Sequence, residues 1–425
     1  VLNQCKQRAR QLNPWLNAFI TLNPDDKSQV SGELQNLAVG VKDIFYTKGL
    51  RTTAGSKFLK DFVPEYDATT VATLKQRGAF IIGKTNTHEF AMGATSVNPH
   101  YGAVRNPFDT DRISGGSSGG SAVAVATGMC TAALGSDTGG SVRIPAALCG
   151  VVGFKPSYGS VSKHGVVPLS WSMDHVGFLN RCVGDARIMF ENLKGFDEKD
   201  PSTQLYQPVE KEFRGLRGTL IGVNDYFIEN CDAGVLKNFE ATLQTLALNG
   251  AKILKVTFDS ISLCARVREV ILSSEVAAYH KKFYPAHSAE YGEDVKRRIE
   301  LGMRYSAVDY ISAQRLRNIM VDEFTRIFEE VDAFACPTVK TTAPLISESL
   351  TPDTRKKLIA NTEPFNITGQ PAISIPNGLA KGLPTAVQIC CSYGSDNYLL
   401  GLTEKVEDLL DFDKCVFAQK ERRQI

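Results

Sequence analysis

The 425-residue chain reads as an α/β protein, with a central mixed, mostly parallel twisted sheet covered by helices on both faces. Three observations predict this. Helix and strand patterns alternate along most of the sequence, as they do where strands are joined by crossover helices. Hydrophobic residues make up 43% and charged residues 22%, a composition that buries a core and excludes a disordered chain. One helix candidate, 121–129, is apolar all round and so belongs inside the protein.

In chain order, Asp67 is placed to cap a helix that runs through Val71 and Leu74 and stops at Gly78, and an apolar strand follows at 79–82. The buried helix at 121–129 leads into a strand at 130–134, which enters a glycine turn. Farther on, 219–223 reads as a strand and 233–249 as an amphipathic helix ended by Gly250. A long helix is expected at 307–330, and strands at 331–336, 372–375 and 385–390. The charged stretch 197–215, with Pro201 and Pro208, is the best linker candidate, and 341–357, rich in Thr, Ser and Pro, is a second soft region. Both fit surface loops of one domain over 1–425, with a core at about 37–200 and a C-terminal part at about 215–425 that completes the sheet and the substrate pocket.

A net charge of +2 gives no global reason to invoke nucleic acid or a membrane surface. The longest apolar stretch, 122–134, is interrupted by Thr127, Gly128 and Thr131 and is too short to cross a bilayer, so no membrane association is expected. Residues 1–10 are polar and basic without an apolar run behind them, which speaks against a secretory signal. Ten cysteines are scattered without a C-x-x-C, several in apolar runs such as Val387-Gln388-Ile389-Cys390-Cys391. Reduced, buried thiols are expected, which suits a cytosol or a mitochondrial matrix.

Two motif matches fail on their surroundings. Residues 78–85 satisfy G-x-x-x-x-G-K-[ST], but the four intervening residues are Ala, Phe, Ile and Ile. A phosphate cradle needs a loop whose N–H groups converge on the anion, and these residues belong inside a sheet. Residues 115–119 fit G-x-S-x-G, but a nucleophile elbow needs a buried strand before it. The preceding 105–113 contains Asn106, Pro107, Asp109, Asp111 and Arg112. The six histidines form no metal spacing, so no metal is expected.

What remains is a lysine and two serines in turn-prone segments. Lys42 follows the apolar residues 38–41 and precedes Ile44-Phe45-Tyr46. Ser117 lies in Gly115-Gly116-Ser117-Ser118-Gly119-Gly120, and Ser141 follows Thr138-Gly139-Gly140. Serine must lose its proton as it attacks, and a lysine whose ammonium is disfavoured by burial can take it. The turns at 115–120 and 139–141 offer backbone N–H groups to a developing negative charge. Taken singly, each has a commoner reading: a surface lysine beside Asp43, a linker serine and a turn serine. Only the three segments together favour chemistry.

The stretch from Ser114 to Pro156 resembles the amidase signature, including the 24-residue interval from Ser117 to Ser141. The resemblance implies the amidase-signature fold, with Ser141 as nucleophile, Ser117 as bridging serine entered through a cis peptide from Gly116, and Lys42 as ultimate base. It further implies an oxyanion hole from the N–H groups of Thr138, Gly139, Gly140 and Ser141. The segment Gly83-Lys84-Thr85-Asn86-Thr87-His88-Glu89-Phe90-Ala91-Met92-Gly93 is also similar to the G-K-T-N-x-D-E-F-A-M-G of the glutaminase (A) subunit family of glutamyl-tRNA(Gln) amidotransferases. Residues 295–299, Val-Lys-Arg-Arg-Ile, and 382–384, Gly-Leu-Pro, follow that family as well.

This narrower resemblance implies release of ammonia from glutamine. It implies a B subunit (kinase/transamidase) that uses ATP and Mg²⁺ on Glu-tRNA(Gln), a small third subunit of C or F type, and no cofactor in this chain. Arg298 is the implied cation for the glutamine carboxylate, with Arg297 as fallback, and Met92 and Ser118 are implied substrate contacts. Three departures stand out: His88 replaces the common Asp, 279–291 is dissimilar, and Ile359 stands in register where the family usually has an Asp before Thr362-Glu363-Pro364-Phe365-Asn366, Asp353 fitting only with a gap. They point to a diverged mitochondrial, fungal-type lineage with a matrix location, or a cytoplasmic one if the chain is bacterial. A free-standing amidase for another small or lipid amide is the alternative.

Overall fold

The computed structural model describes residues 1–25, 31–410 and 412. Eleven strands form one sheet: β1 (Phe19–Leu22), β2 (Ala38–Lys42), β3 (Phe80–Thr85), β4 (Ala132–Asp137), β5 (Val152–Lys155), β6 (His175–Asn180), β7 (Leu220–Val223), β8 (Lys252–Lys255), β9 (Ala333–Pro337), β10 (Ala372–Ala380) and β11 (Leu383–Cys390). Their spatial order is β1-β3-β2-β4-β6-β5-β10-β11-β9-β7-β8. The helices used below are α1 (Leu2–Leu16), α2 (Thr69–Gln76), α3 (Gly119–Ala126), α4 (Arg143–Cys149), α5 (Val183–Leu193), α6 (Ala233–Leu248), α7 (Cys264–His280), α8 (Glu293–Arg304), α9 (Ala307–Glu330) and α10 (Pro352–Ile359).

The expected mixed sheet is present, but it is not mostly parallel. Parallel pairing is confined to β3-β2-β4 and β9-β7-β8, and the other six pairings are antiparallel. Two local causes account for this. The β10–β11 connection is only Lys381-Gly382, both at positive φ (51° and 77°), which makes a tight hairpin. β6 lies between β4 and β5 and runs against both, so the crossover through α4 skips a position.

Successive residues of a strand point to opposite faces, and the core divides accordingly. Val39, Val41, Ile81, Leu134 and Phe178 join one large cluster that also takes Val71 and Leu74 of α2 and Met189 and Phe190 of α5. Their strand neighbours Ala38, Phe80, Ile82, Ala133 and Leu179 join a second cluster with Cys5 and Ala9 of α1 and Ala122 to Val125 of α3. Helices therefore cover both faces. In α3 every residue from Gly119 to Val125 is buried, in line with its apolar sequence.

Asp67 does not cap α2: the N-cap is Ala68, and Asp67 accepts from the Lys48 N–H and from Lys75 Nζ, each at 2.7 Å. Stretch 197–215 runs between strands of the same sheet, anchored by Asp197 and Asp200, which accept hydrogen bonds from Ser162, Thr69 and the Lys163 N–H. Soft region 341–357 contains most of α10, from which Arg355 lines the pocket described below. Residues 80–85 are a wholly buried strand, so the P-loop pattern there cradles nothing. The nine described cysteines carry no disulfide; Cys415 lies outside the described residues. No helix of the described residues is long and apolar enough to cross a membrane.

Candidate active site

β2 and β4 are parallel neighbours, so their carboxyl ends open side by side, the usual place for a site in such a sheet. Lys42 is the last residue of β2, and Ser136 and Asp137 end β4. Lys42 has no exposed surface. Its Nζ lies 2.8 Å from Ser117 Oγ, 2.8 Å from Ser136 Oγ and 3.5 Å from the Ser136 carbonyl, and no carboxylate pairs with it among the described residues. Burial pulls its pKa down to about 7 against the partial support of Asp137 and Asp174. A lysine held this way is about half neutral at pH 7 and so available as a base.

The Gly116–Ser117 peptide is cis. The Ser117 carbonyl accepts from Thr87 Oγ1 (2.8 Å), Ser96 Oγ (3.2 Å) and the His88 N–H (3.3 Å), so three donors fix the bend. No side chain fits at residue 116: a Cβ there would stand 2.6 Å from Ser96 N. The next N–H, of Ser118, donates to the Ser141 carbonyl at 3.1 Å and ties the two serine segments together. Ser141 is 9% exposed and faces a narrow pocket that Thr138, Gly139, Leu169 and Leu272 also line. Lys42 and Ser117 are thus sealed in behind a serine that a ligand can reach.

The turn at 137–141 is held from beneath. Asp137 accepts from the N–H groups of Gly140 (2.7 Å) and Val142 (3.0 Å), from Arg143 Nη2 (2.8 Å) and from Asn366 Nδ2 (2.8 Å). Burial alone would raise the Asp137 pKa, but the Arg143 charge and these donors prevail and hold it well below the usual carboxylate range. Thr362 Oγ1 donates to the Gly139 carbonyl at 2.7 Å, and a Cβ on Gly140 (φ 123°) would stand 2.2 Å from that oxygen. The N–H groups of Thr138, Gly139 and Ser141 have no acceptor among the described residues. Gly140 departs from expectation: its N–H is engaged by Asp137, so three donors rather than four are free for an oxyanion.

Ser118 also departs from expectation. It is fully buried, its hydroxyl donates to the Ser136 carbonyl (3.3 Å), and it does not line the pocket. Met92 does line it, set there by Phe90 and Ala91 in left-handed backbone (φ 48° and 59°). Arg298, from α8, lines the same pocket as Arg268 of α7 and Arg355 of α10, while Arg297 is on the exposed side of α8. Arg298 is buried, and among the described residues it has one hydrogen bond, a long one to Ser273 Oγ (3.4 Å), and no ion pair. Burial, then the charges of Arg355 and Arg268, depress its pKa to about 9.

Sequence reasoning missed Ser136, Asp137, Arg143 and Asn366 as the supports of this machinery, and Arg268, Arg355 and Glu363 around the pocket. The first three lie inside the recognised run, where charged residues among glycines and apolar residues are a usable signal. The others come from scattered helices and turns.

Comparison with known proteins fits this geometry. The Amidase family matches residues 1–400. A relative from Geotalea daltonii, the A subunit of a glutamyl-tRNA(Gln) amidotransferase, is 37% identical across 92% of this chain and 90% of its own length. The crystal structure of the corresponding glutamyl-tRNA(Gln) amidotransferase chain from Thermotoga maritima superposes with a TM-score of 0.84 at 35% identity, covering 94% of this chain and 89% of that one. A solved amidase superposes with a TM-score of 0.86 at 33% identity, covering 96% and 95%. With its cis-entered serine, buried lysine and glycine turn in place, the chain belongs to the amidase-signature family.

Proposed function

We propose that this chain is the glutamine-hydrolysing A subunit of a glutamyl-tRNA(Gln) amidotransferase. One observation carries the hydrolytic part: a fully buried Lys42, unpaired with any carboxylate among the described residues, 2.8 Å from Ser117 Oγ. Neutral Lys42 takes the proton of Ser117, which takes that of Ser141 as Ser141 Oγ attacks the carboxamide carbon. The oxyanion accepts from the N–H groups of Thr138, Gly139 and Ser141. As the C–N bond breaks, the same relay returns a proton to the leaving nitrogen, and ammonia departs. Water then attacks the acyl-Ser141 ester and releases the acid. Donors already placed at the turn spare reorganisation at the moment of reaction, and removal of one such donor typically costs about 10²–10³ in rate.

The tRNA-directed part rests on the amidotransferase relatives, each 35–38% identical to this chain. In this reading the ammonia passes to a B subunit, where ATP and Mg²⁺ serve the activation of Glu-tRNA(Gln), with a small third subunit of C or F type. Arg298 takes the glutamine carboxylate. Free, mostly buried cysteines suit a reducing compartment, the mitochondrial matrix or, for a bacterial chain, the cytoplasm. The test is co-purification from the native source and a glutamine-dependent transamidation assay on Glu-tRNA(Gln). Ser141→Ala is expected to abolish glutamine hydrolysis in the complex; retained hydrolysis would sink the proposal. A second reading, a free-standing hydrolase of another small amide, is favoured by Ile359, which lines the pocket where a carboxylate is expected.

A further inference from the structure

His88 acts on the pocket without lining it. Its ring is buried against Gly93, where an added Cβ would stand 2.4 Å from His88 Cε1, and its Nδ1 lies 3.4 Å from Thr95 Oγ1. Its Nε2 lies 2.7 Å from Asp294 Oδ2. An ionised carboxylate can only accept, so Nε2 carries the proton. Burial alone would raise the Asp294 pKa, but the His88 hydrogen bond and charge hold it below its ordinary value, so Asp294 is a full negative charge. It stands in the first turn of α8, and Arg298 follows four residues later on the same face. An acid four residues before a base is the favourable order for a helical ion pair. Asp294 nevertheless pairs with His88, and Arg298 makes no ion pair among the described residues.

α8 does not need His88 to stay in place. Just before its first turn, the Gly292 N–H donates to Glu89 Oε2 at 2.7 Å. Near its other end, Gly302 packs so closely on α7 that a Cβ would stand 1.8 Å from the Ser273 carbonyl oxygen. Loss of the His88 ring therefore leaves Arg298 where it is and frees Asp294 instead. Three cations surround the freed carboxylate. Arg297 is exposed and solvated, and His100 is already paired with Glu89 at 3.1 Å. Arg298 is buried, so attraction to it is the least screened, and Asp294 already acts on its charge. Glu269, the other carboxylate acting on Arg298, is exposed on α7 and is not restrained by His88.

We propose that His88 is a positioning residue for substrate binding: it holds Asp294 away from Arg298 and so keeps that guanidinium unneutralised for the carboxylate of the amide. This rests on the reading of Arg298 as the cation for the glutamine carboxylate. His88 stands where the family resemblance has Asp, and an aspartate cannot donate to Asp294, so the device is particular to this chain.

The test is kcat and KM for glutamine, measured on the full-length chain with its co-purified partners. His88→Leu fills the space of the ring but cannot hold Asp294. It should raise KM about three- to tenfold, the worth of one charged pair formed at Arg298. Its kcat should stay within about twofold, because the residue 88 N–H still donates to the Ser117 carbonyl. Adding Asp294→Ala to His88→Leu should bring KM back to within about twofold of the unaltered value, and Asp294→Ala alone should leave it there. In an Arg298→Gln background, His88→Leu should change KM no further. His88→Asn, whose amide is too short to reach Asp294, repeats the test where the leucine variant does not fold. An unchanged KM in His88→Leu, or a raised KM that Asp294→Ala does not restore, overturns the inference and leaves the role of Arg298 intact. An unchanged KM in Arg298→Gln removes that role, and the inference with it.

Discussion

The nucleophile end of the pocket and its arginine end, a cluster that reaches the Gly139 turn through Arg268, are built in opposite ways. At the nucleophile end, the supporting groups are hydrogen-bonded to one another: Lys42 to Ser117 and Ser136, the Ser118 N–H to the Ser141 carbonyl, and Asp137 beneath the turn to Arg143 and Asn366. At the arginine end, Arg298 has one long hydrogen bond and Arg355 reaches in from an exposed stretch of α10. The first end has its supports bonded before substrate arrives and three N–H groups free for the oxyanion, so it can meet a transition state without rearranging. The second holds Arg298, a buried charge without an ion-pair partner among the described residues. Substitutions should separate the ends: at the first they cost rate or stability, at the second they change which ligand binds.

The largest effects lie at the nucleophile end and divide by role. Ser141→Ala removes the attacking oxygen from a pocket wall and should cut hydrolysis by about 10⁴-fold or more while the urea midpoint stays put. Arg143→Met does the reverse damage. It leaves the Asp137 carboxylate buried against Gly140 and Val142 without its cation, and breaking a buried pair from one side costs about 3–5 kcal/mol. The chemical denaturation midpoint should fall steeply. An unmoved midpoint in Arg143→Met would mean that the turn does not depend on this pair.

Two buried lysines sharpen the point. Lys84, paired with Asp43 at 3.4 Å, also donates to the Phe45 carbonyl and to Thr52 Oγ1, each at 2.6 Å. Lys42 has only hydroxyl partners and one distant carbonyl. Lys84→Met should therefore destabilise, because Asp43 is left buried and unpaired. Lys42→Met should cost about 10²–10⁴-fold in rate and no stability. It should even stabilise at neutral pH. The Lys42 pKa is about 7 when folded and near 10.5 unfolded, so between those values the unfolded chain binds the extra proton. The penalty is absent above about pH 10.5, grows as pH falls toward 7, and is constant below that. Urea midpoints of both variants at pH 7 and 9 check this, the advantage of Lys42→Met being larger at pH 7.

The same group sets the acid limb of the rate. The reactive form of Lys42 is the neutral one, so kcat/KM should fall about tenfold per pH unit below about pH 7. A limb that persists unchanged in a complex lacking Lys42 would assign it to another group, Asp174 being next in line: burial raises its pKa to about 6, and it accepts from Thr138 Oγ1 at 2.6 Å.

The contrast between the ends also governs what the sequence made legible. Lys42, Ser117, Ser141 and the glycine turn could be read because turns and a buried base need particular residue types at short spacing. The strands carrying them were legible for the same reason: a run such as Phe80-Ile81-Ile82 has few alternatives. The antiparallel centre of the sheet was not, since it depends on a two-residue hairpin at Lys381-Gly382 and on β6 slipping between β4 and β5. Gly140 and Ser118 were misread for a different reason. Their donors looked free in sequence, but Asp137 and Ser136, inside the same run, take them. Arg268, Arg355 and Glu363 carry no local pattern at all, and only the packing of α7 against α8 and the return of α10 bring them to the pocket.

The smallest effect is the most direct check on the arginine end. Arg297 and Arg298 are adjacent on α8, and from the sequence either could meet a carboxylate. A helix places successive residues about 100° apart, so only one can face the pocket. Arg298 is the buried one, and Arg297 points outward among exposed neighbours. Arg297→Gln should change KM for any anionic amide by less than about twofold, because a solvated charge beyond the lining contributes little. Arg298→Gln should raise it by about 10–100-fold, the worth of one charge-assisted hydrogen bond left unmade. Equal effects from the two substitutions would mean that long-range charge, and not the buried guanidinium, selects the ligand.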